Sequence, residues 1–393
     1  MNQAPTIQRG GEEMKEMIKI GIIGCGGMAG AHLGGLKDLK EEGVDKFEVV
    51  AICDVDEEQV KKFAKVCEEK LSITPLCFTN YEEMLSKVEL DAVDIVTPHQ
   101  SHHRIALDCL SSKKHIFIEK PLAIVPSLGR EMISSAKDKG LKLAVAEDYR
   151  LSPGNIAVKK MIEEGLIGKP YFTTKAYGGV GSGIFCGTPW RHMKEMGGAG
   201  VIFDNGVHDA DLFLYWLGDI DEVFSYNKIF EKKRSDENRE IFPTSEDTDA
   251  TILKFKGGAL GHWLCSWAAH GKDFHYCLIY GSKGRISLAP FEVNLDDGTK
   301  LEGEEIVSRY AEGIRKNGVA TELEAFAVSI IEDKEPAVGG EQALKAMAVS
   351  FAALESAMTH QPVKVENILE GKAKVYEESV IMADDEQSIF HGP

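Results

Sequence analysis

Ile20-Gly21-Ile22-Ile23-Gly24-Cys25-Gly26-Gly27-Met28-Ala29 is the stretch whose reading sets the fold class. Its first residues are apolar and strand-like, its centre is a run of glycines, and a helical stretch follows to about residue 41. Gly24 permits a tight turn, and Gly26 lacks a Cβ, so backbone can approach a bulky anionic group closely. Ala29 is small enough for a helix to pack close to its strand. The unpaired N–H groups and dipole at the helix start favour negative charge there. A second strand over 47–53 ends at Asp54, completing a βαβ context in which a glycine turn reads as a dinucleotide site.

Outward from this turn, short β-rich runs alternate with helical stretches. Strands are predicted over 19–23, 47–53, 92–96, 115–119 and 141–146, with helices over 57–70, 104–111 and 128–139. That alternation implies right-handed crossovers and a parallel sheet covered on both faces. Beyond Arg150, helices over 155–164 and 205–217 precede longer runs rich in aromatic and β-branched residues, at 171–177, 222–230, 250–255, 259–268 and 275–280. Glycine-rich or charged turns link them, as in an antiparallel sheet. Late helices are expected over 322–331 and 341–360, the latter packing back on the first domain. The charged segment 231–240 reads as an exposed loop, and the glycine-rich segment 178–187 as a lid or an arm to a neighbouring subunit. The division is a flexible arm (1–17), a dinucleotide-binding domain (18–148) and a second α/β domain (149–393).

Composition narrows the class. The chain has 393 residues, is 43% hydrophobic and 27% charged, and carries a net charge of −18. Such a charge repels a phosphate backbone, so no nucleic-acid partner is expected. No apolar run approaches the roughly 18–20 residues a membrane helix needs, and the polar start lacks a signal-peptide core. The eight scattered cysteines form no Cys-x-x-Cys pair, which suits reduced buried thiols and a cytoplasmic location. The histidines at 262, 270 and 275 lack ligand spacing, and no metal is expected.

Asp54 can accept hydrogen bonds from both adenosine-ribose hydroxyls. Asp56, Glu57 and Glu58 follow without a nearby arginine, so a 2′-phosphate would be repelled; NAD is favoured over NADP.

With these pieces in place, the chain resembles the Gfo/Idh/MocA family, the group of glucose–fructose oxidoreductase and inositol dehydrogenase. The resemblance runs from about residue 19 to 284. Gly24 to Ala29 with His32 is similar to the family's cofactor turn, and Thr97-Pro98-His99-Gln100-Ser101-His102 to its Thr-Pro-Asn-x-x-His loop. Glu119-Lys120-Pro121 is similar to its catalytic lysine motif, and Asp204-Asn205-Gly206-Val207-His208 to its Asp-x-x-x-His motif. Ala29 stands for the usual third glycine, His99 replaces asparagine, and His103 adds an imidazole. The resemblance implies a Rossmann domain followed by an α/β domain with a large, mostly antiparallel open sheet. The open face of that sheet is the expected contact of a homo-oligomer, whether dimer, tetramer or hexamer.

It also implies the site. Gly24, Gly26, Gly27, Met28, Asp54, Thr97, Pro98, His99, His102, Glu119 and Lys120 are the candidate cofactor residues. Oxidising a secondary alcohol removes a hydroxyl proton while hydride leaves the same carbon, a task suited to a base of near-neutral pKa. His208 is favoured as that base, Lys120 as the donor polarising the reacting oxygen, and Asp204 as orienter or acceptor for a substrate hydroxyl. Lys120 as the base is the alternative. Tyr149, Arg150, Trp190 and Arg191 are candidate substrate walls, joined by Lys120, Asp204 and His208. The leading expectation is an NAD-dependent dehydrogenase acting on a sugar, inositol or glycoside hydroxyl. The alternatives are an NAD-retaining glycosidase, lyase or glycoside 3-oxidising enzyme, and a non-catalytic NAD-sensing regulator.

Overall fold

Strand β1 (Ile18–Ile23) runs parallel between β2 (Phe47–Cys53) and β4 (Ala92–Ile95), and its burial on both faces explains its nearly unbroken apolar sequence. The computed structural model describes residues 17–180, 188–235, 237 and 239–390, the last seven of these as backbone only. The predicted arm therefore lies outside the described residues except for Met17, as do positions 181–187 of the glycine-rich segment.

β3 (Leu76–Phe78), β5 (His115–Glu119) and β6 (Leu143–Ala146) complete a six-stranded sheet in the order β3-β2-β1-β4-β5-β6. All its pairings are parallel. This doubly wound order reverses between β1 and β4, and ligands bind at the carboxyl ends of strands at such a reversal. Helices α1 (Gly27–Glu41), α2 (Glu57–Leu71), α3 (Tyr81–Lys87), α4 (His99–Ser111) and α5 (Pro126–Asp138) provide the crossovers. Asp56 caps α2 by accepting from the Glu58 and Gln59 amides, so the acids after Asp54 also start a helix.

The second sheet has nine strands, from β7 (Pro170–Gly178) through β17 (Val363–Lys364), omitting β9 (Arg234–Ser235) and β10 (Glu240–Ile241). It is mixed, because β7 pairs parallel with β12 (Leu260–Ser266) while its other pairings are antiparallel. Strand β11 (Thr248–Phe255) alternates strictly, with Asp249, Thr251, Leu253 and Phe255 inward and Ala250, Ile252 and Lys254 outward. One face thus packs on helices and the other lies open.

The charged segment expected as a loop instead carries a two-residue ladder, Arg234–Ser235 against Glu240–Ile241, with Arg234 buried. The late helices both reach the first domain, as expected for the second of them and found for the first as well. Gly318–Ile331 lies on the first sheet, where Phe326 stacks with Phe117 at 5.4 Å and Phe47 at 6.2 Å. Gly340–Thr359 is buried along most of its length between α5 and β8 (Ile220–Lys228). Both helices therefore join the two halves. Among the described cysteines all thiols are free, and only Cys77 is exposed.

Candidate active site

The turn after β1 meets its structural demands. Gly24 has φ +95°, and a Cβ there would lie 2.2 Å from the Val96 carbonyl oxygen. Gly26, Gly27 and Met28 are exposed at the open start of α1. A Cβ on Gly26 or Gly27 would meet nothing within 4 Å, and no side chain caps this helix start. The cradle is therefore open and lined by backbone N–H groups, which suits a pyrophosphate. Asp54 sits at its rim, where Oδ2 accepts from the Cys25 amide at 2.8 Å and Oδ1 from the Asp56 amide at 3.0 Å. These residues fit NAD, whose bound nicotinamide would accept hydride.

At the end of β4, Thr97 is half-buried and Pro98 exposed. His99 and His102, expected at the cofactor, are both buried. His102 is fully buried, with Nδ1 and Nε2 each 2.9 Å from the carbonyl oxygens of Pro121 and Thr97. It ties the β4 loop to the β5 loop from behind. His99 is also buried and donates from Nδ1 to the Gly197 carbonyl at 3.1 Å. Burial drives its pKa down to about 3 despite the neighbouring Asp204, so the ring is neutral. His103 faces outward and pairs with Glu131 at 2.8 Å.

Lys120 leaves the end of β5 beside a cis peptide to Pro121, and its Nζ donates to the Asp204 backbone carbonyl at 2.6 Å. Glu119 is buried behind it and accepts from His32 and from the Lys120 amide, so it supports the lysine rather than lining the cleft.

Asp204 ends a short helix (Val201–Asp204), and His208 belongs to the next (Gly206–Leu217). The two do not pair. Asp204 forms an ion pair with Arg191, and its Oδ1 lies 3.6 Å from His99 Nε2. Burial opposes its charge, but Lys120 and Arg191 hold its carboxyl well below the usual range. Among the described residues, its buried Oδ2 has no hydrogen-bond partner.

His208 donates from Nδ1 to Glu147 Oε2 at 2.6 Å, which leaves Nε2 as the atom that can exchange a proton. Burial disfavours its charged form and Lys120 opposes it, yet Glu147 raises the His208 pKa above the ordinary value. Tyr149 is 45% exposed and stacks on the imidazole at 4.2 Å. Glu147 was missed in the sequence. Its signal was an acid at the carboxyl end of β6, the position Lys120 holds relative to β5.

The predicted substrate walls divide. Tyr149 covers His208, while Trp190 is half-buried beneath the Arg191 guanidinium and meets the His99 ring edge at 4.6 Å. Arg150 does not form a free wall, because its guanidinium makes a bidentate pair with buried Asp211 and covers Tyr215. Asp209 is held by Lys175 at 3.1 Å and by Trp263 Nε1 at 3.0 Å. Thus His208, Asp209 and Asp211 each have a distinct partner, which fixes the helix in register.

The comparisons agree with this architecture. Residues 18–147 match the model for the oxidoreductase family's NAD-binding Rossmann fold, and residues 159–365 match its C-terminal alpha/beta domain. Myo-inositol 2-dehydrogenase of Thermotoga maritima is 27% identical over 357 residues, covering 90% of this chain and all of that protein. D-glucoside 3-dehydrogenase of Escherichia coli is 25% identical over 300 residues, covering 72% of this chain and 80% of the relative. In three dimensions, levoglucosan dehydrogenase in complex with NADH and levoglucosan aligns at a TM-score of 0.77 with 23% identity, over 88% of this chain and 99% of the other. An oxidoreductase from Agrobacterium radiobacter in complex with NAD+, L-tartaric acid and magnesium aligns at 0.75 with 24% identity, over 90% and 100%. With its cofactor cradle and both halves matched, the chain belongs to the Gfo/Idh/MocA oxidoreductase family, whose N-terminal domain binds NAD.

Proposed function

We propose that the protein oxidises a secondary hydroxyl of a sugar, inositol or glycoside at the expense of NAD. One observation carries the reading: the Lys120 ammonium, at the end of a first-sheet strand, bonds the Asp204 carbonyl and lies close enough to His208 of the second half to oppose its charge. The Lys120 ammonium is placed to hold the reacting oxygen and stabilise its alkoxide character. His208 Nε2 takes the hydroxyl proton, and Glu147 stabilises the imidazolium that results. Asp204 and Arg191, with Tyr149 and Trp190, form the polar and aromatic surfaces suited to a polyhydroxylated ring. The names of the inositol, glucoside and levoglucosan dehydrogenases among its relatives and structural neighbours support this substrate class.

The test is to incubate the purified protein with NAD and a panel of myo-inositol, levoglucosan and methyl glucosides while following NADH. The expected result is stoichiometric NADH formation with at least one of them. Cleavage of a nitrophenyl glycoside without net NADH would overturn the dehydrogenase reading in favour of an enzyme that returns the hydride. We further propose that the open face of the second sheet joins copies of this chain.

A further inference from the structure

His32 lies in the second turn of α1, behind the glycine cradle, and is fully buried. Its Nδ1 is 2.8 Å from Asp94 Oδ2, and its Nε2 is 3.2 Å from Glu119 Oε1. The other Glu119 oxygen accepts the Lys120 amide hydrogen at 3.1 Å. An imidazole facing a carboxylate at each nitrogen can donate to both only as imidazolium. Burial opposes that charge, but Asp94 and Glu119 outweigh it and lift the His32 pKa well above the ordinary value. Glu119 responds in the opposite sense, held down to about 2 by His32 and Lys120 against its own burial. Glu322, another buried acid near this space, is driven well up by burial with Asp148, Glu119 and Glu147 nearby.

A chain of contacts thus runs from α1 through His32 and Glu119 to the Lys120 backbone. It does not pass through the cleft. A buried charged group is a poor way merely to fill space, because apolar residues of similar volume often serve stability as well or better. What this arrangement adds is direction. The Glu119 carboxylate is gripped on one side by the cofactor helix, and its other oxygen fixes the peptide from which the lysine side chain departs.

We propose that His32 is a positioning residue that, through Glu119, sets the Lys120 backbone relative to the cofactor-binding helix. The functional meaning of that placement rests on the reading of Lys120 as the group holding the reacting oxygen, whereas the mechanical link can be tested without substrate. Asn at position 32 puts its amide nitrogen near the place of Nδ1, keeping the Asp94 contact and losing Glu119. Gln reaches the place of Nε2, keeping Glu119 and losing Asp94.

Hydrogen exchange at the Lys120 amide, measured by mass spectrometry on the full chain with and without NAD, separates the two variants. His32→Asn is expected to exchange there at least about 10-fold faster than wild type, with His32→Gln close to wild type. Equal exchange in the Asn and Gln variants, or no change in the Asn variant, would overturn the proposal. Should the Asn variant fail to fold, Glu119→Gln and Glu119→Ala give the same decision. The first retains an acceptor for the Lys120 amide and should stay protected, while the second should not; equal protection overturns the link. Turnover of the substrate panel by Lys120→Ala stands apart. Wild-type turnover there would remove the catalytic reading of the lysine and leave the exchange result intact.

Discussion

Lys120 is the side chain on which the proposed chemistry turns. Its Nζ, bonded to the Asp204 carbonyl, is the ammonium at the end of β5. Lys120→Ala should lower turnover by about 10²–10³-fold, the scale set by removing one donor to a developing oxyanion. NAD affinity, measured by fluorescence titration, should stay within a few-fold, because the substitution leaves intact the glycine turn, whose open amides suit the phosphates. Glu147 gives a prediction of sign. Its carboxylate raises the His208 pKa, so Glu147→Gln should lower it and leave the base deprotonated at lower pH. The acid limb of the rate profile should therefore move to lower pH; a shift to higher pH would contradict the His208–Glu147 assignment. Lys120, Asp204 and His208 were legible because they stand in short motifs. Their partners were not. Glu147 reaches the site by tertiary packing, and nothing in local spacing assigns it to a histidine 61 residues away, while Arg191, read from the sequence as a substrate wall, gives no local sign of its pairing with Asp204. For the same reason His102 looked available in a polar loop, although folding turns both its ring nitrogens to buried carbonyls.

At the level of elements, the helix carrying His208 is held by contacts that the sequence pattern could not supply. Its buried Asp209 faces Lys175, whose side chain is only 6% exposed. Removing one partner of such a pair leaves the other charge stranded in the interior, at a typical cost of about 3–5 kcal/mol. Asp209→Ala should show that loss in denaturant unfolding, accompanied by reduced turnover as the helix shifts. Gly200 makes a steric counterpart just before Asp204. A Cβ there would stand 1.7 Å from the Glu246 backbone oxygen, which no side-chain rotation can relieve. Gly200→Ala should therefore displace the Asp204 segment, read as lost thermal stability and activity together. The first-sheet strands were legible because burial on both faces makes their sequences nearly continuous in apolar residues. β3 has three residues, and β14–β16 (Gly284–Leu288, Phe291–Leu295 and Lys300–Glu302) are short and half-exposed, so none offers a comparable pattern.

Across the whole molecule, the two halves share one core, in which Ile95 and Ile118 of the first sheet join Val207, Phe213 and Trp263 of the second half. That continuity holds Lys120 opposite His208. Among the described residues, it also leaves the far face of the second sheet uncovered. Phe224, Ile252, His262, Thr174 and Leu278 stand in one row across five neighbouring strands, and Tyr226, Ala250, Leu264, Ala176 and Tyr276 in the next. Ile252 is 50% exposed and Tyr226 61%. A broad apolar sheet face of this kind is a contact surface or an aggregation hazard. If two copies meet face to face, Ile252 lies near the middle of the contact, and a carboxylate there would be desolvated without a partner. Ile252→Asp should then shift the mass measured by light scattering toward the monomer while the circular dichroism spectrum is retained, since in the isolated chain this side chain points to water. An unchanged assembly in that variant would place the subunit contact elsewhere and leave this face needing another cover. Because the same strands support Asp209 through Lys175 on their inner side, weaker turnover in the dissociated variant would mean that assembly also stiffens the floor beneath His208.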